Sequence, residues 1–197
     1  MIKVGFIGAV SKEWMGGLNY FNNLLFAIDS LNNKELQIFV FVGKKTDEDI
    51  KNMFRKYATV IEDRIFDRKS LKWFLMKLEQ KIFKTNFLLE NILKKYDIQV
   101  LSYTSITKFK NIKTINWIPD FQHIHLPQMF SKKEIENRDK SFIQIIKESD
   151  VVVLSSFDAL KDLRKFSSEY QNKARVLQFV SQPNSRYFEL NENDKNN

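Results

Sequence analysis

Apolar residues in this chain fall alternately into short continuous runs and into longer stretches with helical spacing. The runs are Ile2 to Gly8, Leu36 to Gly43, Thr59 to Ile61, Ile98 to Tyr103, Ile112 to Ile118, Asp150 to Leu154 and Ala174 to Val180. Runs of this length, apolar at nearly every position, read as strands of a parallel sheet. Between the first two, Gly16-Gly17 opens a helix in which Leu18, Phe21, Leu24, Leu25, Ile28 and Leu31 recur at helical spacing, until Asn32-Asn33 ends it. Thr46 with Asp49 reads as a capping box for a helix carrying Ile50, Met53, Phe54 and Tyr57. Ser131 with Glu134 is a stronger one, with Ile135, Phe142, Ile145 and Ile146 turned inward. Ser155-Ser156-Phe157-Asp158 caps a further helix striped by Leu160, Leu163 and Phe166.

The segment Ser70 to Tyr96 is harder to orient. It reads as one helix, or as two with a break at Thr85-Asn86. Leu71, Leu75, Leu78, Ile82, Leu89, Ile92 and Leu93 form an inner stripe. Trp73, Met76, Phe83 and Phe87 are then surplus apolar residues, set among Lys72, Lys77, Lys81 and Lys84. Two readings stand: a helix wedged between core layers with lysine stems covering apolar surface, or a helix meeting a membrane or a partner.

Strand–helix alternation along the chain predicts an α/β fold. We expect a doubly wound, Rossmann-like parallel sheet of about seven strands with helices on both faces. Right-handed crossovers would bring every strand-to-helix loop to one edge. Gly16-Gly17, Ser102 to Ser105, Asp120 to His125 and Ser155-Ser156 would then share a crevice. Residues 1–182 read as this domain, and 183–197 as a polar tail or the start of a linker.

Composition narrows the classes. With 197 residues, 43% hydrophobic, five glycines and three prolines, the chain can bury a core. Without cysteine there is neither a disulfide framework nor a thiolate metal site. No apolar run reaches the ~18–20 residues of a membrane span, so a cytoplasmic protein is expected, with peripheral contact to the inner membrane face as an option. The net charge of +8 reflects either compositional bias or an anionic partner, such as a membrane surface or a lipid-linked or nucleotide substrate. Nucleic acid is not expected, because no recognised module or compact basic stripe is found.

Candidate chemistry gathers after the fifth strand. Pro119 ends the ladder because it lacks an N–H. Asp120, Gln122, His123 and His125, which include the only two histidines, follow within six positions. Ligands of open α/β sheets bind past the carboxyl ends of strands. His123 and His125 could hold a metal with Asp120, could pack, or could touch a substrate; no metal or other cofactor is assigned. Asp120 beside His123 could serve as an acid/base pair. Gly16-Gly17, after the first strand, is either a tight turn before a packed helix or a place where backbone approaches a phosphate.

Three stretches carry a resemblance. Trp117-Ile118-Pro119-Asp120-Phe121-Gln122-His123, continuing to Leu126-Pro127-Gln128-Met129-Phe130-Ser131, resembles a segment of the amino-terminal domain of family 4 glycosyltransferases, which have the GT-B fold. Met15-Gly16-Gly17-x-x-Tyr20-x-x-Asn23-Leu24 is similar to that family's Gly-Gly…Tyr…Asn-Leu opening. Val152 to Asp162 and Val176 to Val180 add supporting matches. The resemblance implies two Rossmann-like domains across a cleft, the amino-terminal one binding acceptor and the other a nucleotide-sugar donor through two glutamates spaced by seven residues. Transfer would retain configuration and generally need no metal, since helix dipoles and basic groups hold the leaving diphosphate.

The same resemblance implies roles. Asp120 and His123 would be catalytic; Gly16, Gly17, Tyr103, His125, Ser155 and Ser156 would bind substrate. Partners would be the nucleotide-sugar donor and a glycan or lipid-linked acceptor in cell-surface polysaccharide assembly. Two departures stand out. No Glu-x7-Glu pair occurs in the sequence, and Pro119 stands where many family members have histidine. The chain therefore reads as half an enzyme, inactive alone. The rivals are a non-catalytic Rossmann-like subunit that binds a donor-binding protein or an anionic membrane, and half of a sugar-nucleotide epimerase.

Overall fold

The structure is a computed structural model that describes residues 1–8, 15–83, 85–102 and 109–178. Seven strands form one sheet: β1 (Ile2–Ile7), β2 (Leu36–Val42), β3 (Thr59–Glu62), β4 (Val100–Ser102), β5 (Lys113–Ile118), β6 (Val151–Leu154) and β7 (Ala174–Val176). Their order is β3-β2-β1-β4-β5-β6-β7, and every neighbouring pair is parallel. The Rossmann-like sheet anticipated from the apolar runs is present. Its last strand is shorter than Ala174 to Val180: Leu177 and Gln178 are not strand, and 179 onward, including the polar tail, lie outside the described residues.

Helices α1 (Met15–Ser30), α2 (Glu48–Arg55), α3 (Leu71–Ile82), α4 (Phe87–Lys95), α5 (Gln122–His125), α6 (Lys132–Glu148) and α7 (Phe157–Phe166) connect them. Register sorts the two faces. Phe6, Val40 and Val42 pack with Phe21 and Leu25 of α1 and Ile50 and Phe54 of α2. The alternate residues Phe39, Phe41 and Leu101 pack instead with Met76 of α3 and Leu89 and Leu93 of α4. Leu101 pairs with Thr114, so Ile118, four residues on, lies on that second face. There it joins Val152 and Leu154 beneath Ile146 of α6 and Leu163 of α7. Helices whose crossovers run one way thus lie on one face and those running the other way on the opposite face, as right-handed connections require.

Among the described residues, the α1 face is covered only over its first strands. Beside α1, a trough of about 390 Å³ is lined by Phe6, Leu24, Ile28, Ile115, Trp117 and Val153 among others.

Three local expectations change. The cap of α2 is Asp47, whose carboxylate accepts from the Asp49 N–H at 2.9 Å; Thr46 instead donates its N–H to Gly43 in the preceding turn. Ser70 to Tyr96 is two helices, broken at Thr85-Asn86. Asn86 makes no side-chain cap, and Glu79 of α3 does that work by accepting from the N–H groups of Phe87 and Leu88. The third change is the largest. Leu71, Leu75, Leu78 and Ile82, expected to face inward, are exposed, while Met76 is buried and Trp73 packs on the core. The wedge between core layers is therefore not what α3 forms. Both sides of this helix are apolar, and hydrophobic spacing alone could not choose between them.

Candidate functional site

All seven strands end at one edge, and its topological switch point lies between β1 and β4, where chain connections diverge. The segments that directly follow these two strands, 9–14 and 103–108, lie outside the described residues, and Tyr103, Thr104 and Ser105 with them. The walls on either side are described.

One wall begins with the glycine pair, which sits in the first turn of α1. Gly16 is exposed, and a Cβ built there would meet none of the described residues within 4 Å. Gly17 is buried. Without a Cβ at Gly16, and with no described side chain against it, another molecule can come close to the helix N-terminal amides. One turn later Tyr20 stacks on Trp117 of β5, ring centroids 4.1 Å apart and planes 4° from parallel. The Trp117 indole N–H donates to Ser155 Oγ at 2.9 Å. Three pieces of the rim, distant in sequence, are joined by these two contacts. Ser156 caps α7, its hydroxyl accepting from the Ala159 N–H at 3.0 Å.

The other wall is the loop after β5. Asp120 is exposed, and its carboxylate accepts from the Gln122 N–H at 2.9 Å, shaping the turn into α5. His123 is 1% exposed. Its ring lies edge-on to Phe142 at 5.3 Å, and its Nε2 meets Asp139 Oδ1 at 3.0 Å. Facing a carboxylate, Nε2 is the donor; Nδ1 has no partner among the described residues. His125 is exposed, its Nε2 2.8 Å from Asp162 Oδ2. Asp120 and His123 are thus not bonded to each other. Each histidine has its own carboxylate, and the short α5 is held against α6 by one and α7 by the other. Among the described residues no three acidic or histidine side chains converge as a metal set would.

Asp139 was not singled out from the sequence, and Asp162 entered only as the last residue of a family-like segment, with no partner assigned. A signal was there: Asp139 precedes Phe142 by three residues and Asp162 follows Ala159 by three, so each shares a helix face with a packed residue.

Two charged sites elsewhere on the domain are structural. At the outer end of β3, Lys51 donates to Glu62 at 2.9 Å, and that hydrogen bond raises its pKa against the effect of burial. At the opposite edge of the sheet, burial works to raise the Asp150 carboxyl, but the Thr114 N–H and the Lys113 ammonium prevail and hold it below the ordinary range.

No family model matches this sequence, and no curated protein matches it. Among solved structures, the chain is similar to HepE of Anabaena, whose crystal structure holds UDP and glucose. The TM-score is 0.50 at 10% sequence identity, covering 90% of this chain and 44% of HepE. The chain thus spans less than half of that protein's length. At this identity the likeness is one of architecture: the domain matches one half of a GT-B fold.

Proposed function

We propose that this chain is the acceptor-side domain of a family 4, retaining glycosyltransferase that takes sugar from a nucleotide-sugar for cell-surface glycan or polysaccharide assembly. The observation that supports it best is the rim at which α1, through Tyr20 one turn after the glycine pair, meets Trp117 and Ser155, on a fold shared with a protein solved with UDP and glucose. In this reading the α1 N-terminus, open at Gly16, approaches the donor diphosphate. Helix amides and the helix dipole favour an anion there. Asp120 lies at the sugar site, and His123 braces the loop that carries it through Asp139. His125, Ser155, Ser156 and Tyr103 border the cleft. A second Rossmann-like domain, facing this rim, holds most of the nucleotide-sugar. Such donors are made in the cytoplasm, which is where the domain would work.

Two measurements test this. Titration of UDP into the isotopically labelled 197-residue chain should shift the Gly16 and Gly17 amide resonances before others. Shifts confined to residues away from the rim would remove the diphosphate role. Incubated with UDP-glucose and a glycan acceptor, the same chain should give essentially no turnover. Robust transfer by this domain alone would contradict the acceptor-side assignment.

A further inference from the structure

The outward side of α3 is apolar, and it is bordered by lysines. Leu71, Phe74, Leu75, Leu78 and Ile82 are all exposed, Leu71 by 75%. At roughly 100° per residue, these five fall on one stripe, opposite the Trp73–Met76 side that packs on the sheet. Phe83, 69% exposed, and Phe87 at the start of α4 add further exposed apolar surface next in the chain. A helix with water beyond it carries polar residues on that side; contiguous exposed apolar surface of this kind marks an interaction site.

Charge indicates what the stripe meets. Between residues 68 and 84 the sequence has six basic side chains and a single acidic one. Lys72, on one flank of the stripe, is paired with Asp63 at 3.2 Å, so the uncompensated charge comes from Lys77 and Lys81 on the other flank. The one acid, Glu79, has its carboxylate turned to the N-terminus of α4 and to the Thr85 hydroxyl. Lys77 bonds the neutral Gln80 at 3.0 Å, and Lys81 has no acidic partner among the described residues. Lysine stems can lie along apolar surface while their ammonium groups reach a polar boundary. An apolar stripe with lysines on both flanks fits the boundary between acyl chains and anionic headgroups. A protein partner of ordinary composition would not need the one-sided charge.

We infer that α3, extended by the start of α4, docks this domain on an anionic lipid bilayer, lying in the interface without crossing it. No helix among the described residues is long and apolar enough to cross a membrane. The inference does not depend on sugar transfer. It also places the carboxyl rim near lipid, because α3 follows closely on the carboxyl end of β3.

Flotation of the 197-residue chain with mixed phosphatidylglycerol–phosphatidylcholine vesicles tests it, with pure phosphatidylcholine as the control. Binding is expected to the mixed vesicles, weakened by salt and much lower on the neutral ones. The charge reversals Lys77→Glu and Lys81→Glu together should weaken binding by about tenfold or more. The pair Phe74→Ser and Leu78→Ser should weaken it at least as far, with an unchanged melting curve because neither side chain is in the core. Absence of binding to the mixed vesicles would overturn the inference, as would binding that survives both pairs of substitutions. A dimer in sedimentation that dissolves on Phe74→Ser and Leu78→Ser would overturn it too, and would assign the stripe to a second copy of the chain.

Discussion

Helices α3 and α6 lie on the same face of the sheet and are finished differently on the outside. In α6, Ile146 is buried and Phe142 and Ile145 pack beside it, while most outward positions are charged or polar. In α3, Met76 is buried and Trp73 packs beside it, but the outward positions are again apolar. Water satisfies the outer side of the first helix; the second presents a surface that water does not favour. The contrast separates two uses of hydrophobic residues that one periodicity can hide: holding a helix to its own sheet, and holding the domain to something else.

Truncating the inward side chains should give the largest effects, and similar ones in both regions. Ile146→Ala on the inner side of α6, fully buried, should cost about 3 kcal/mol in denaturant unfolding, and Met76→Ala on α3 about 2–3 kcal/mol. A negligible cost for Met76→Ala would mean that α3 is not anchored to the sheet and that the contrast is misdrawn.

A smaller effect is expected at the start of α6. The Ser131 hydroxyl and N–H hold the Glu134 carboxyl below its ordinary pKa, with Arg138 adding to this. Ser131→Ala should cost about 1 kcal/mol near neutral pH. A group whose folded pKa is depressed stabilises above its unfolded pKa and loses that contribution as pH falls through the folded value. The gap between wild type and variant should therefore narrow as pH drops below the ordinary glutamate range. A gap that stays constant in acid would assign the whole effect to the hydroxyl.

The smallest effect belongs to the outer stripe. Leu78→Ser should change stability by less than about 0.5 kcal/mol in the lipid-free chain. A loss above ~2 kcal/mol would show that the stripe is covered in solution.

The sheet was legible because apolar runs bounded by polar turns carry their own lengths, and strand–helix alternation dictates parallel pairing. The α6 cap was legible because Ser131 and Glu134 are spaced as a capping box requires. The α3 orientation was not, since leucines at helical spacing mark a face without saying which way it points. The α2 cap was missed by one residue because Thr46, Asp47 and Asp49 can all accept a hydrogen bond, and turn geometry decides among them. At the rim, the loop after β5 was located, but its pairings were not. Asp120 and His123 are three residues apart, yet His123 reaches Asp139 on another helix. Such a contact is tertiary and leaves only a faint trace in the chain.

The indole of Trp117 sits between the Tyr20 ring and the Ser155 hydroxyl, where α1, β5 and β6 meet. Tryptophan emission responds to hydrogen bonding at the indole and to neighbouring rings, so the domain carries an optical gauge at its carboxyl rim. With Trp14 and Trp73 replaced by phenylalanine, the remaining emission would report any tilt of the first helix when a nucleotide is added, without an added dye.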